Sequence, residues 1–139
     1  MKIGILTAME KEATSFIGVN ACTETVGDFT IHKFNIGTNE VYLVVPPTVG
    51  EIGAAAGVQL LVCRYDVQAV LNFGIVGALT DEIRTEELVY VGDVVHYEVD
   101  TSAVDNVPVG YYTSFQTDSF TCDKQLLALA KALLDMPVV

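Results

Sequence analysis

The chain has 139 residues, is 51% hydrophobic and carries a formal net charge of −11. That apolar content excludes a disordered chain, and the length suits a single domain able to bury a real core. Seven Lys and Arg scattered among eighteen acids leave no basic face for a nucleic-acid backbone, and no apolar run approaches membrane-spanning length.

Cys22, Cys63 and Cys122 lie far apart with no CxxC pair, and His32 and His96 are equally distant. Metal-ligand spacing is therefore missing, no metal or cofactor is expected, and buried free thiols of a reducing compartment are the natural reading. Met1-Lys2 runs straight into a strand-like segment, without the regions of a signal peptide, so a soluble cytoplasmic protein is expected.

Lys2-Ile3-Gly4-Ile5-Leu6-Thr7 reads as a first strand, passing through Ala8-Met9 into a helix that opens Glu10-Lys11-Glu12-Ala13. Carboxylates in a first turn meet the positive end of the helix dipole, which by itself accounts for Glu10 and Glu12. A carboxylate just past a strand's carboxyl end is also placed to act on a bound ligand. Residues 27–36 alternate apolar with polar side chains, 37–40 form a turn, and Val41-Tyr42-Leu43-Val44-Val45 resumes β character, together predicting a hairpin. His32 falls on the polar phase of that alternation and is expected in solvent. Residues 46–52 are a loop entering a helix rich in small residues, which can lie close against a sheet and ends near Tyr65-Asp66.

Ala69-Val70-Leu71-Asn72-Phe73 shows no alternation, which predicts a central strand covered on both faces. It stops at Gly74-Ile75-Val76-Gly77, where glycine would let a ligand approach main-chain amides; a tight turn after a core strand explains the same residues. Residues 80–87 read as an exposed loop. Leu88 to Tyr97 returns to a strand, with Gly92-Asp93 a bulge or turn inside it, and residues 98–120 form a long loop of the kind that is often functional. Asp123 to Leu134 is the clearest helix, with Leu126, Leu129, Ala130 and Leu133 on one face. Pro137-Val138-Val139 looks like the opening of another strand, so the chain is expected to be incomplete at its C-terminus, a terminal strand edge being the alternative.

Two separated pieces resemble one family. Residues 1–12, MKIGILTAMEKE, look like the opening of the 5′-methylthioadenosine/S-adenosylhomocysteine nucleosidases, members of the nucleoside phosphorylase superfamily. Residues 71–79, LNFGIVGAL, with Val91-Gly92-Asp93-Val94-Val95, are similar to the family's central glycine motif and its next strand. The loop from Pro47 to Ala55 occupies the matching place, departing from the family at Glu51, where lysine is usual, and at Gly53, where asparagine is common.

The resemblance implies an α/β fold: a three-layer αβα sandwich around a twisted mixed sheet, in one nucleoside phosphorylase-like domain, usually a homodimer. It also implies hydrolysis of an adenine N-glycosidic bond, as in methionine salvage, with a nucleoside as the small-molecule partner. Glu12 matches the carboxylate that deprotonates the attacking water; Ala8 and Met9 lie beside the nucleoside. Ile75, Val76 and Gly77 carry over as the base- and sugar-lining segment, Ile75 departing from the family's serine and removing a hydrogen-bond donor. Thr101 and Val104 match positions that reach the neighbouring subunit's pocket, and Glu10 stays structural. The family's purine-protonating aspartate and ribose-binding glutamate find no match, so residues 1–139 alone are expected to be nearly inactive. Phosphorylase relatives favour arginine for phosphate, and neither the opening motif nor the stretch before Gly74 has one, which prefers hydrolysis to phosphorolysis. A phosphorylase for another nucleoside and an inactive binding or assembly module stay as alternatives.

Overall fold

The computed structural model describes residues 1–18 and 20–139, which divide into two compact units, Met1–Gly77 and Ala78–Val139. The first contains β1 (Lys2–Leu6), α1 (Glu10–Ala13), β2 (Cys22–Val26), β3 (Phe29–Ile36), β4 (Asn39–Val45), α2 (Glu51–Tyr65) and β5 (Ala69–Asn72). Its five strands form one mixed sheet in the order β2-β3-β4-β1-β5. β1 runs parallel to β4 and β5, while β2-β3 and β3-β4 are antiparallel hairpins. The hairpin turns contain Gly27 (φ 58°) and Gly37 (φ 60°), the left-handed conformation that glycine adopts without steric cost.

Strand alternation sorts the core into two faces. On one, Ile5, Val41, Leu43 and Val45 pack with Ala13 of α1, with Phe16, Ile17 and Phe34 at the rim. On the other, Leu6, Ile31 and Val44 pack with Leu61 and Tyr65 of α2. The first unit is therefore helix, sheet, helix, with α1 and α2 on opposite faces. Small residues let α2 lie close: a Cβ on Gly57 would stand 2.9 Å from Leu6 Cδ1. The helix ends at Tyr65, and Asp66 takes the left-handed cap conformation at φ 55°.

On the α2 face, Lys33 Nζ pairs with Glu24 Oε2 at 2.8 Å, and the Tyr65 hydroxyl donates to Glu24 Oε1. Tyr42 stacks on Tyr65 with ring centroids 4.6 Å apart. Burial, then the Glu24 hydrogen bond, pushes the Tyr65 hydroxyl up to about 12. The Lys33 and Tyr65 hydrogen bonds hold Glu24 below its usual range.

Two expectations are corrected in this unit, and one strand is added. Among the described residues β5 is the outermost strand, pairing with β1 alone, and its residues Leu71 and Asn72 are exposed where cover on both faces is expected. β2 escaped the sequence reading, since Cys22-Thr23-Glu24-Thr25-Val26 is mostly polar and draws its place from pairing with β3. His32 is buried rather than solvated, because α1 covers the sheet face on which it stands.

The second unit contains β6 (Asp93–Val94), α3 (Ser102–Asp105), β7 (Phe120–Thr121) and α4 (Lys124–Leu133). β6 and β7 pair antiparallel, and Val138 bridges Tyr90 in parallel, so the predicted strand over 88–97 survives as two short pairings divided near Gly92. Tyr112, Phe115 and Phe120 cluster with centroids 5.4–6.1 Å apart. Asp123 caps α4, accepting the Gln125 and Leu126 N–H groups at 2.9 Å. Leu126, Leu127 and Ala130 are its half-buried residues, whereas Leu129 and Leu133, expected on the covered face, are exposed. Among the described residues no helix is long and apolar enough to cross a membrane.

Candidate active site

The site forms where β1 and β5 end side by side. Their parallel register places Leu6 opposite Asn72, and the Phe73 N–H donates to the Leu6 carbonyl at 3.0 Å. The chain leaves β1 through Thr7 and Ala8 into Met9, an extended N-cap residue (φ −143°, ψ 150°), and then turns once through α1. Glu12 is the third residue of that turn, where a side chain can fold back onto the N-cap amide.

It does so. Glu12 Oε2 accepts the N–H groups of Ala8 at 2.8 Å and Met9 at 3.1 Å. Its Oε1 accepts the N–H of Ile75, just after β5, at 2.9 Å. The carboxylate is buried, while Met9 and Ile75, whose N–H groups it accepts, are exposed. A carboxylate offers about four acceptor positions, and charge-assisted bonds to N–H donors are short and directional. With three positions filled and none of the donors able to take its place, the group is fixed and keeps one position for a further donor such as water.

Gly74 makes this approach possible. A Cβ there would lie 2.9 Å from Glu12 Oε1 and 3.3 Å from its carboxyl carbon. The sequence reading took this glycine as room for a ligand at a main-chain amide; in the structure the room is taken by the Glu12 carboxylate, and the next amide binds that carboxylate. Gly74 is therefore required by the Glu12–Ile75 contact, and a single glycine directly after Asn72-Phe73 is its signal in the sequence. Around Gly77, by contrast, an added Cβ would meet nothing within 4 Å.

The structure thus brings Ala8, Met9, Glu12 and Ile75 into one hydrogen-bonded group, with Val76 and Gly77 following on the exposed chain. Glu10 meets His32 at 3.3 Å. Thr101 and Val104 belong to the second unit, Thr101 as the N-cap of α3 and Val104 exposed within it.

A family model, that of the phosphorylase superfamily, matches residues 2–139. The chain is 34% identical over 133 residues to the 5′-methylthioadenosine/S-adenosylhomocysteine nucleosidase of Maridesulfovibrio salexigens, covering 94% of this chain and 56% of that protein. It is similar to the S-adenosylhomocysteine nucleosidase of Streptococcus pyogenes solved with 5-methylthiotubericidin, at a TM-score of 0.86 and 28% identity over 99% of this chain and 60% of that one. The nucleosidase of S. pneumoniae solved with a transition-state inhibitor, MT-ImmA, gives a TM-score of 0.87 and 27% identity over 99% of this chain and 61% of that one. The chain thus spans little more than half the length of the curated relative named here. With the mixed sheet and its two helical layers, these matches give the fold as nucleoside phosphorylase-like, and the chain belongs to the phosphorylase superfamily.

Proposed function

We propose that the full-length protein hydrolyses the N-glycosidic bond of an adenine nucleoside of the 5′-methylthioadenosine or S-adenosylhomocysteine type, residues 1–139 supplying its base. The observation that carries this reading is Glu12: a buried carboxylate held by three main-chain N–H groups at the carboxyl end of parallel strands, with one acceptor position left for water. That is the arrangement a general base for water requires. In the reaction Glu12 accepts a proton from water, the water oxygen bonds to the anomeric carbon, and the carbon–nitrogen bond breaks with its electron pair passing to adenine. The fixed negative charge also favours the oxocarbenium character that develops at the sugar.

Ala8 and Met9 flank the nucleoside, and Ile75, Val76 and Gly77 line the base and sugar. Thr101 and Val104 serve the pocket of a neighbouring subunit in a homodimer, and the enzyme works in the cytoplasm in methionine salvage. The two compact units are parts of one nucleoside phosphorylase-like domain, a reading supported by a family match that runs unbroken through both. A relative named as a nucleosidase, and two nucleosidases solved with 5-methylthiotubericidin and with the transition-state inhibitor MT-ImmA, support the substrate class.

The test is adenine release from 5′-methylthioadenosine by the full-length protein, with and without inorganic phosphate, since residues 1–139 alone are expected to be nearly inactive. Release that is independent of phosphate and falls with Glu12→Gln supports the reading. Strict phosphate dependence would mean a phosphorylase, and no release under either condition would mean a binding or assembly module.

A further inference from the structure

The helix that carries Glu12 is a single turn, and one turn has no stability of its own. Its placement must come from contacts with the sheet. One is Ala13, fully buried among Ile5, Val41, Leu43 and Val45. The other is Glu10, the first residue of the turn, whose Oε2 lies 3.3 Å from His32 Nε2.

His32 stands on β3 between Thr23 of β2 and Leu43 of β4, its registered partners, and is buried there. Its Nδ1 lies 2.9 Å from Thr23 Oγ1. A carboxylate only accepts, so Nε2 must carry a proton toward Glu10. Nδ1 then accepts the Thr23 hydroxyl hydrogen in the neutral ring, or donates to the hydroxyl oxygen in the imidazolium. Both states keep the bond to Glu10, and the ring cannot turn without breaking the bonds at both nitrogens. The Glu10 side chain is 55% exposed, so the pair adds little to global stability; what it constrains is where α1 sits.

We propose that His32 is a positioning residue for the hydrolysis: through Glu10 it fixes the one-turn helix so that Glu12 keeps its bonds to Ala8, Met9 and Ile75. This rests on the reading of Glu12 as the base. No other ionisable side chain among the described residues is recorded in contact with His32, which is why Glu10 is the route of its effect.

The test compares His32→Phe, which keeps a ring and loses both bonds, His32→Gln, which keeps a donor toward Glu10, and Glu10→Ala, which removes the tie from its exposed side. Amide hydrogen exchange is followed at Met9, Ile75, Val41 and Leu43, together with kcat and KM for adenine release. In His32→Phe and Glu10→Ala, exchange at Met9 and Ile75 should quicken about tenfold, the scale of one hydrogen bond, with Val41 and Leu43 unchanged. The kcat should fall with KM nearly constant, and His32→Gln should restore both properties. Unchanged Ile75 protection in Glu10→Ala, or a rate loss matched by equal loss of protection at Val41 and Leu43, would overturn the proposal. If the unmutated full-length protein releases no adenine, the nucleosidase reading falls alone, and the exchange rates still decide whether His32 positions Glu12.

Discussion

Glu12 and Ile75, 63 residues apart in sequence, meet at 2.9 Å, the carboxylate accepting the backbone N–H. The contact exists because β1 and β5 are parallel neighbours, so their carboxyl ends emerge together and each strand contributes one half of it. A side chain at the third position of a helical turn and an amide after a glycine are thereby locked to one another. The lock fixes the carboxylate before any substrate arrives, which is what makes a base effective.

Replacing Glu12 with Gln should therefore disturb more than proton transfer. Whichever way the amide turns, its NH2 faces either the Ile75 N–H or the Ala8 and Met9 pair, setting donor against donor. The expected cost is about 1–3 kcal/mol of unfolding free energy, measured by urea titration. Adenine release should fall by about 10²–10⁴-fold, the range for loss of a general base. A variant with undiminished release would remove Glu12 from the chemistry.

Gly74→Ala should act on the same group from the other side. Its Cβ would arrive 2.9 Å from Glu12 Oε1, and that oxygen is pinned by Ile75, so either the carboxylate or the backbone must move. Such overpacking typically costs about 1–3 kcal/mol, and a crystal structure of the variant should show Glu12 displaced from Ile75. Gly77→Ala is the control: nothing lies within 4 Å of its added carbon, and its melting temperature should stay close to the parent's.

Much of this was legible in the residues, and the exceptions share a cause. The ends of α2 were readable because small residues and a terminal Tyr65-Asp66 are local signals, and the β3-β4 hairpin because alternation and Gly37 are local too. Position after β1 offered Glu10 and Glu12 alike, and the resemblance of residues 1–12 to the nucleosidases is what singled out Glu12. His32 and β2 were not readable, since each depends on what lies across space. The imidazole is buried by a turn over twenty residues earlier, and β2 is held as a strand by its pairing with β3. Periodicity reports the face a strand offers, not whether anything covers it.

Leu61 tests the layer on the opposite face. It is fully buried between Leu6, Ile31 and Val44, and its Cδ1 lies where a Cβ on Gly4 would stand, at 2.9 Å. Leu61→Ala should cost about 2–5 kcal/mol, because close packing leaves the neighbours little room to fill the cavity. Val62→Ala, one residue on and half exposed, should cost far less in the same urea titration. Equal losses would mean that α2 does not seat as the geometry requires.

The cluster of Glu24, Lys33 and Tyr65 gives stability a dependence on pH at both ends. Glu24 is held below its ordinary value of 4.5, first by the Lys33 hydrogen bond and then by that of Tyr65. A carboxylate with a depressed folded-state value stabilises above its unfolded-state value, and that contribution is lost as pH falls through the folded one. Tyr65 is shifted the other way, up to about 12 from 10.0, mainly by burial and then by the bond to Glu24. Its contribution is complete below pH 10 and disappears as pH rises toward about 12. Urea midpoints measured across pH should therefore fall below about 4.5 and above about 10. Glu24→Gln should flatten the acid limb, and Tyr65→Phe the alkaline limb. If Tyr65→Phe leaves the alkaline fall unchanged, the buried hydroxyl is not its source.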